Sequence, residues 1–147
     1  MGILNKPLDQ DGHAIVDLLL RPAFPRRKAL QTAGQAISST QVIWGMLDTG
    51  ATLTVIDPQV RQTLGLTPFR MRRISAPGLP APAQFPSYKL ELMLVDPAGQ
   101  VWLLGPMLTV LEAPILHMGV SVLVGCDVLS RCIYNYNGPA GTFSLAY

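Results

Sequence analysis

The chain has 147 residues, of which 49% are apolar and only 14% are charged, and its formal net charge is +2. This length suits one domain with a core of its own, while the balanced charge and the 7% aromatic content are not those of a nucleic-acid-binding surface. A high apolar share with few charges also predicts that some apolar surface is covered in a subunit interface.

The first six residues, Met1–Lys6, lack the apolar core of a signal peptide. We expect a flexible segment over 1–12 in a single domain of 1–147. The apolar stretch Ala14–Leu20 is too short to cross a bilayer and contains Asp17. These features predict a soluble cytoplasmic protein, and a fragment cut from a longer membrane-bound precursor would share them.

His13–Leu20 is predicted to be a strand, followed over 23–35 by an exposed connection with one helical turn near Lys28–Thr32. The basic clusters at Arg26–Lys28 and Arg70–Arg73 are interpreted as a solvated loop and the outer face of a strand. Ser39–Leu47 is the next predicted strand.

That strand ends on Asp48-Thr49-Gly50-Ala51. An acid after two apolar residues is costly to desolvate unless it is stabilised or used. Gly50 allows a sharp turn and the close approach of another backbone. A lone Asp-Thr-Gly is more often an ordinary turn, because Asp hydrogen-bonds its own backbone and Gly accepts positive φ. The context decides between the two interpretations.

A strand is predicted over Leu53–Ile56, and a helix follows with Asp57 as N-cap, Pro58 at its first position and Gly65 as its stop. Phe69–Ser75 and Ser87–Leu94 are predicted as the arms of a long hairpin. The proline-rich stretch between them, 76–86, cannot be ladder-forming strand throughout, so we expect a loop.

Asp96 begins Asp-Pro-Ala-Gly, which is typical of a β-turn. Strands are predicted over Val101–Leu104, Met107–Leu111 and Gly119–Val124, and a short helix over Asp127–Arg131. The last predicted element is a hairpin that turns at Asn137-Gly138. The total is an all-β domain with one or two short helices.

Cysteine and histidine do not predict a metal site or a disulfide. Cys126 and Cys132 lie six apart, a poor spacing for a bridge or for zinc, and are interpreted as reduced, buried thiols. His13 and His117 have no carboxylate at metal-ligand spacing. We expect no metal and no organic cofactor.

Two apolar residues before Asp48-Thr49-Gly50, and Val122-Leu123-Val124-Gly125 before a short Asp-x-Leu helix, resemble one lobe of an aspartic protease of the retroviral (retropepsin-like) type. The resemblance covers most of the chain from about Gly12 to Leu145. It implies a closed β-barrel, and since the chain has a single Asp-Thr-Gly, it implies a homodimer with the active site on the two-fold axis.

The resemblance also implies roles. Asp48 of each copy would form the catalytic dyad, with Thr49 and Gly50 holding the two loops and Ala51 contacting a polypeptide substrate. The 76–86 loop would be a flap with Gly78 at its tip. Thr52 and Leu53 stand where retroviral enzymes have acidic residues, and Gly125-Cys126-Asp127 lacks the usual arginine.

Two rival hypotheses remain. A retropepsin-like fold kept as a catalytically silent dimerisation or peptide-binding module would carry the same motif. An unrelated small β-barrel with an accidental turn would carry it by chance.

Overall fold

The computed structural model describes residues 1–76 and 78–147, and strands dominate its secondary structure. The strands are β1 (Ile3–Pro7), β2 (Ile15–Pro22), β3 (Ile43–Leu47), β4 (Val55–Ile56), β5 (Arg70–Ile74), β6 (Ala83–Val95), β7 (Val101–Glu112), β8 (Val122–Val124), β9 (Ile133–Asn137) and β10 (Thr142–Ala146). The helices are α1 (Phe24–Thr32), α2 (Pro58–Leu64) and α3 (Cys126–Leu129), and a 3-10 helix spans Leu116–Met118. No helix in the described part of the chain is long and apolar enough to span a bilayer.

Six strands close into a barrel in the order β2-β3-β8-β4-β7-β6, because β6 pairs back onto β2, and β5 extends the sheet beyond β6. The barrel interior is the hydrophobic core. Its fully buried members include Leu18, Leu20, Ile56, Leu90, Leu92, Val110 and Val122. The all-β, closed-barrel class predicted from sequence is confirmed.

β8 lies between the two strands that flank Asp48. It runs parallel to β3, with Leu47 opposite Val124, and antiparallel to β4, with Ile56 opposite Val122. The chain that leaves β3 must therefore loop over the end of β8 before it returns as β4. This topology makes residues 48–54 a loop that wraps the end of a buried strand.

The local signals around α2 are confirmed. The Asp57 carboxylate accepts a hydrogen bond from the Gln59 N–H at 2.9 Å, as an N-cap does. Gly65 closes the helix in the left-handed conformation, at φ 59°. The predicted apolar stripe of Val60, Leu64 and Leu66 is buried.

Other element boundaries differ from the predictions. α1 is a nine-residue helix rather than one turn, because Pro25 lies in its first turn, where a missing N–H removes no helical bond. With α1, the described residues contain three short α-helices, where one or two were predicted. β7 is continuous through Gly105-Pro106, and a register irregularity between Leu90 and Leu92 of β6 absorbs the break. The last hairpin forms as predicted, around the turn after Asn137.

The N-terminal segment also differs from the prediction. Residues 1–12 were expected to be flexible, but β1 pairs along its length with β10, with Leu4 opposite Leu145. Leu4 is buried at 2% exposure and joins the main core. The partner strand lies at the other end of the chain, so no local pattern could reveal this pairing.

Candidate active site

Asp48 stands at the point where β3 leaves the sheet. Its N–H donates to the Val124 carbonyl at 2.9 Å, which continues the β3–β8 register by one residue. Its side chain is half-buried, whereas Thr49 and Gly50 are exposed. The loop therefore presents its acid at the rim of the barrel and its next two residues to the surface.

The Asp48 carboxylate is oriented by its own loop. The Gly50 N–H donates to Oδ1 at 2.8 Å, and the Ala51 N–H donates to the Asp48 carbonyl at 3.3 Å. A Cβ added at residue 50 would lie 3.1 Å from the same Oδ1. Within the described residues no basic group forms an ion pair with this carboxylate. The acid is held in place and its charge is not neutralised.

The first residues of α3 are hydrogen-bonded to the same loop. The Cys126 N–H donates to the Ala51 carbonyl at 2.8 Å, and the Asp127 N–H donates to the Thr52 carbonyl at 3.2 Å. The first N–H groups of a helix have no intrahelical acceptor, so the loop carbonyls satisfy them. The Cys126 thiol also contacts the Thr49 carbonyl, at 3.3 Å.

A buried polar network joins Thr54 to Asp127. The Asp127 carboxylate accepts from the Thr54 N–H at 3.0 Å and from the Thr54 hydroxyl at 2.8 Å. The Gly125 N–H donates to the same hydroxyl at 3.2 Å. Sequence reasoning assigned no role to Asp127. Only the fold brings Thr54 and Asp127, 73 apart in the chain, together.

Gly125 is required by close packing. A Cβ there would lie 2.7 Å from the Leu53 carbonyl carbon and 2.8 Å from the Ala51 carbonyl oxygen. Both neighbours are backbone and cannot rotate away. Gly125, the glycine that ends the Val122–Gly125 motif, therefore lets the loop backbone pack closely because it has no side chain.

A groove of about 470 Å³ opens beside the loop. Its floor is Gly50–Leu53 with Val55 and Leu111, and its other wall is the end of β5 with Ser75 and Ala76. Arg72 and Arg73 belong to that wall. The two arginines were predicted to lie on the outer face of a strand; both are on β5, where Arg73 is exposed and Arg72 is half-buried against the groove.

A second concavity, of about 420 Å³, lies on the Asp48–Thr49 side of the loop. Met118, Tyr134 and Tyr136 are among its lining residues. Met118 is 42% exposed and Tyr136 53% exposed. The loop thus sits between a groove with a basic wall and an apolar, aromatic surface.

The structure brings four of the five predicted site residues, Asp48 to Ala51, into one loop. Gly78 lies apart from them at the end of the β5–β6 hairpin, at φ 87°, and is not in the groove lining. Pro77, part of the predicted 76–86 loop, lies outside the described residues. β6 starts at Ala83, so the last residues of that predicted loop are strand.

Asp96 is a turn residue, as predicted. Its carboxylate accepts from the Ala98 and Gln100 N–H groups at 2.9 Å, and the Gly99 N–H closes the turn onto its carbonyl at 2.8 Å. A hydrogen bond from the Trp102 indole lowers the pKa of the Asp96 carboxyl. Asp96 is therefore a turn residue and not a second acid beside the Asp48 loop.

Three further interpretations need correction. Asp9, Asp11 and His13 do place their ligand atoms within 4.8 Å of one another, although all three are exposed and Asp9 mainly caps the turn that leads to His13. Arg27 is not in a solvated loop, because it lies in α1 and pairs with buried Glu91. Cys126 and Cys132 are free, as predicted, but half-buried rather than buried.

No protein-family model and no curated protein sequence matches the chain. Among solved structures, a retropepsin-like aspartic protease from Rickettsia conorii superposes with a TM-score of 0.59 at 18% identity, covering 99% of this chain and 91% of that one. The EIAV protease in complex with the inhibitor HBY-793 gives 0.44 at 14% identity, over 86% of this chain and 93% of that one. A foamy viral protease-reverse transcriptase in complex with an RNA/DNA hybrid gives 0.43 at 14% identity, over 79% of this chain and 12% of that one. The chain has the fold of the retropepsin-like aspartic proteases.

Proposed function

We propose that this protein is an aspartic endopeptidase whose active site forms when two copies bring their Asp48 residues together. The observation that carries the proposal is the Asp48 loop itself. On a retropepsin-like lobe, its carboxylate is oriented by the Gly50 N–H, lacks an ion-pair partner among the described residues, and stands at the rim of the barrel.

The chemistry follows from two carboxylates at one site. Two adjacent carboxylates cannot both ionise cheaply, so the pair holds one proton. The ionised Asp48 removes a proton from a water molecule that attacks the peptide carbonyl carbon. The protonated Asp48 of the second copy donates a hydrogen bond to the carbonyl oxygen. The tetrahedral intermediate then breaks its C–N bond, and the proton taken from the water passes to the leaving nitrogen. Symmetry makes the two roles exchangeable, and the reaction needs no metal or organic cofactor.

The groove beside the loop would hold the polypeptide. Ala51 lies on its floor, next to the acid, where an extended peptide would pass. The β5–β6 hairpin forms the opposite wall and would close over the peptide as a flap. In this arrangement Gly78 contacts the peptide from the hairpin end, where positive φ and the lack of a side chain suit a close backbone approach.

The apolar surface around the second concavity supports a homodimer. Met118 and Tyr136 are large side chains left exposed near Thr49. An apolar cluster of this kind marks an interaction site more often than chance exposure does. A second copy placed there would cover it and would set Asp48 against Asp48, with Thr49 of each copy bonding the opposite loop.

The proposal predicts that Asp48→Asn abolishes cleavage without unfolding the protein, because the amide is nearly isosteric but cannot act as a base. Cleavage of a peptide mixture from a tryptic digest, read by mass spectrometry across pH 3 to 8, measures this. Wild-type activity should peak at mildly acidic pH and fall on both sides, since the working pair carries one proton.

Asp11→Asn is the matched control, because Asp11 is exposed and lies outside the loop. It should cleave like the wild type. Equal cleavage by wild type and Asp48→Asn would reject the aspartic protease. A wild type that dimerises and binds peptides but never cleaves them would instead identify a silent binding module.

A further inference from the structure

The hairpin over the groove has a one-sided charge distribution. Between Asp57 and Glu91 the sequence contains no carboxylate, while β5 carries Arg70, Arg72 and Arg73, and Lys89 lies further along β6. Across the ladder, Arg72 faces Phe85 and Arg73 faces Gln84, so neither arginine has an acidic neighbour there. The positive charge of this wall is not balanced within the hairpin.

Three other arginines are paired with carboxylates. Arg21 and Arg27 both bind Glu91, and Arg61 binds Glu112. In the described part of the chain, Arg72 and Arg73 form no ion pair and no side-chain hydrogen bond with a carboxylate. The Arg70 guanidinium and the Lys89 ammonium both lie over the Phe69 ring. Two cations on the groove wall therefore have no acidic partner there.

The groove supplies no counter-charge of its own. Its lining contains no Asp or Glu, and the floor opposite the arginines is Gly50–Leu53, which is uncharged. Arg72 is half-buried in this wall whereas Arg73 is exposed. A half-buried guanidinium is screened less by solvent than an exposed one, and its planar fork binds carboxylates in a bidentate way.

We infer that the groove selects peptides that carry an acidic side chain near the bond to be cleaved, with Arg72 as the main recognition residue and Arg73 as its support. The inference rests on the proposed function only in placing a peptide in this groove. In a symmetric dimer the second copy supplies an equivalent basic wall. The preference then applies on both sides of the scissile bond.

The first test is the distribution of acidic residues around the cut sites in the peptide mixture. Two synthetic peptides from one such site, differing only by Glu or Gln, then give the ratio of kcat/KM values. We expect the Glu peptide to be favoured about fivefold, the size of one partly exposed ion pair. Arg72→Gln should bring the ratio near one and Arg72→Glu should invert it. No enrichment of acidic residues, or an unchanged ratio in Arg72→Glu, would overturn the inference.

Arg26→Glu is the matched control, since it makes the same charge change at an exposed residue of α1, away from the groove. It should keep the wild-type ratio. The ratio should also fall toward one in high salt and below about pH 4, where the peptide carboxylate is protonated. A merely structural role of Arg72 would alter both peptides equally and leave the ratio unchanged.

A binding measurement separates this inference from the proposed protease. Fluorescein-labelled Glu and Gln peptides are titrated with Asp48→Asn, with and without Arg72→Glu, and followed by fluorescence polarisation. Preferential binding of the Glu peptide that depends on Arg72 supports the inference even if the wild type cleaves nothing. Equal binding of both peptides rejects it even if cleavage occurs.

Discussion

At the scale of single residues, Asp127 holds the loop that carries Asp48 without touching Asp48. Both of its carboxylate oxygens are occupied, one by the Thr54 N–H and one by the Thr54 hydroxyl and the Val128 N–H. Thr54 is completely buried. A buried network of this kind is stabilising only when every member has its partner, so each member constrains the others.

Thr54→Val tests this network. The substitution keeps the shape but removes the hydroxyl, which leaves the Gly125 N–H without its acceptor and removes one of the two donors to Asp127 Oδ1. We expect a loss of about 1 to 3 kcal/mol in the free energy of unfolding, measured by urea denaturation.

Thr52→Val is the matched control, because Thr52 is exposed in the same loop. It should change stability by less than about 0.5 kcal/mol. Equal stabilities of the two variants would contradict the role assigned to the Thr54 hydroxyl.

At the scale of elements, the site depends on β8 and α3 passing beneath the 48–54 loop with almost no space between them. Gly125 joins the two elements where they meet the loop backbone. The same glycine also gives its N–H to Thr54. Packing and hydrogen bonding therefore act on the loop at one residue.

Gly125→Ala should displace the loop, because its Cβ would lie under 3 Å from Ala51 and Leu53 backbone atoms, which cannot rotate away as a side chain can. Overpacking of this type costs about 1 to 3 kcal/mol, and activity should fall with it. Thermal unfolding and peptide cleavage measure the two effects. Gly138→Ala is the control, since its nearest neighbour is a Tyr136 ring carbon at 3.4 Å. Wild-type behaviour of Gly125→Ala would show that the loop can relax.

Helix α1 is attached to the barrel by charge rather than by apolar packing. None of its residues is a buried apolar one, and Arg27 binds the Glu91 carboxylate, which Arg21 also binds. Burial raises the pKa of Glu91, but hydrogen bonds and charge from Arg21 and Arg27 outweigh it, so the net pKa is lowered.

A carboxyl whose pKa is lowered by folding contributes stability above its unfolded value, about 4.3, and loses that contribution as the pH falls through its folded value. We therefore expect Glu91→Gln to cost about 3 kcal/mol at pH 7, since it leaves the half-buried Arg27 guanidinium without its counter-ion. The difference from wild type should shrink as the pH falls from 5 to 3. Denaturant titrations at several pH values measure it, and a constant difference, or none, would contradict the assignment. Asp11→Asn serves as the control and should show neither effect.

At the scale of the whole molecule, the chain forms one closed barrel with a small terminal sheet, β1-β10-β9, beside the Asp48 loop. β9 is the edge strand of that sheet, and Ile133 on it is 68% exposed. Ile3 on β1 is 66% exposed in the same sheet. Exposed apolar residues on an open sheet edge are suited to a second copy.

If two copies share one active site, Asp48→Asn should act as an inhibitor of the wild type. In a mixture with a threefold excess of the variant, a wild-type chain meets another in about one pairing of four, so activity per wild-type chain should fall to about a quarter. The measurement is cleavage after subunit exchange, with substrate above KM. Activity unaffected by the variant would show that one copy works alone.

Several features could be predicted from the sequence because their causes are local. Asp57, Pro58 and Gly65 define α2 through capping and backbone geometry within nine residues of chain. The Asp96 turn forms from its own side chain and the next few N–H groups. The Asp48 loop was placed correctly between two strands because its apolar flanks and its glycine mark a strand end.

What only the tertiary structure decided involves partners far apart in the chain. Glu91 meets Arg21 and Arg27 at separations of 70 and 64 residues, and β1 meets β10 across the whole chain. From the sequence, Arg72 and Arg73 were interpreted as part of a solvated strand face. Only the closed barrel places them opposite Gly50–Leu53. Local periodicity and capping report the conformation of a segment, but the packing free energy of the closed barrel selects which segments touch. The sequence alone thus determined the strand-rich class and the position of the acid loop, and the closed barrel determined what surrounds that acid.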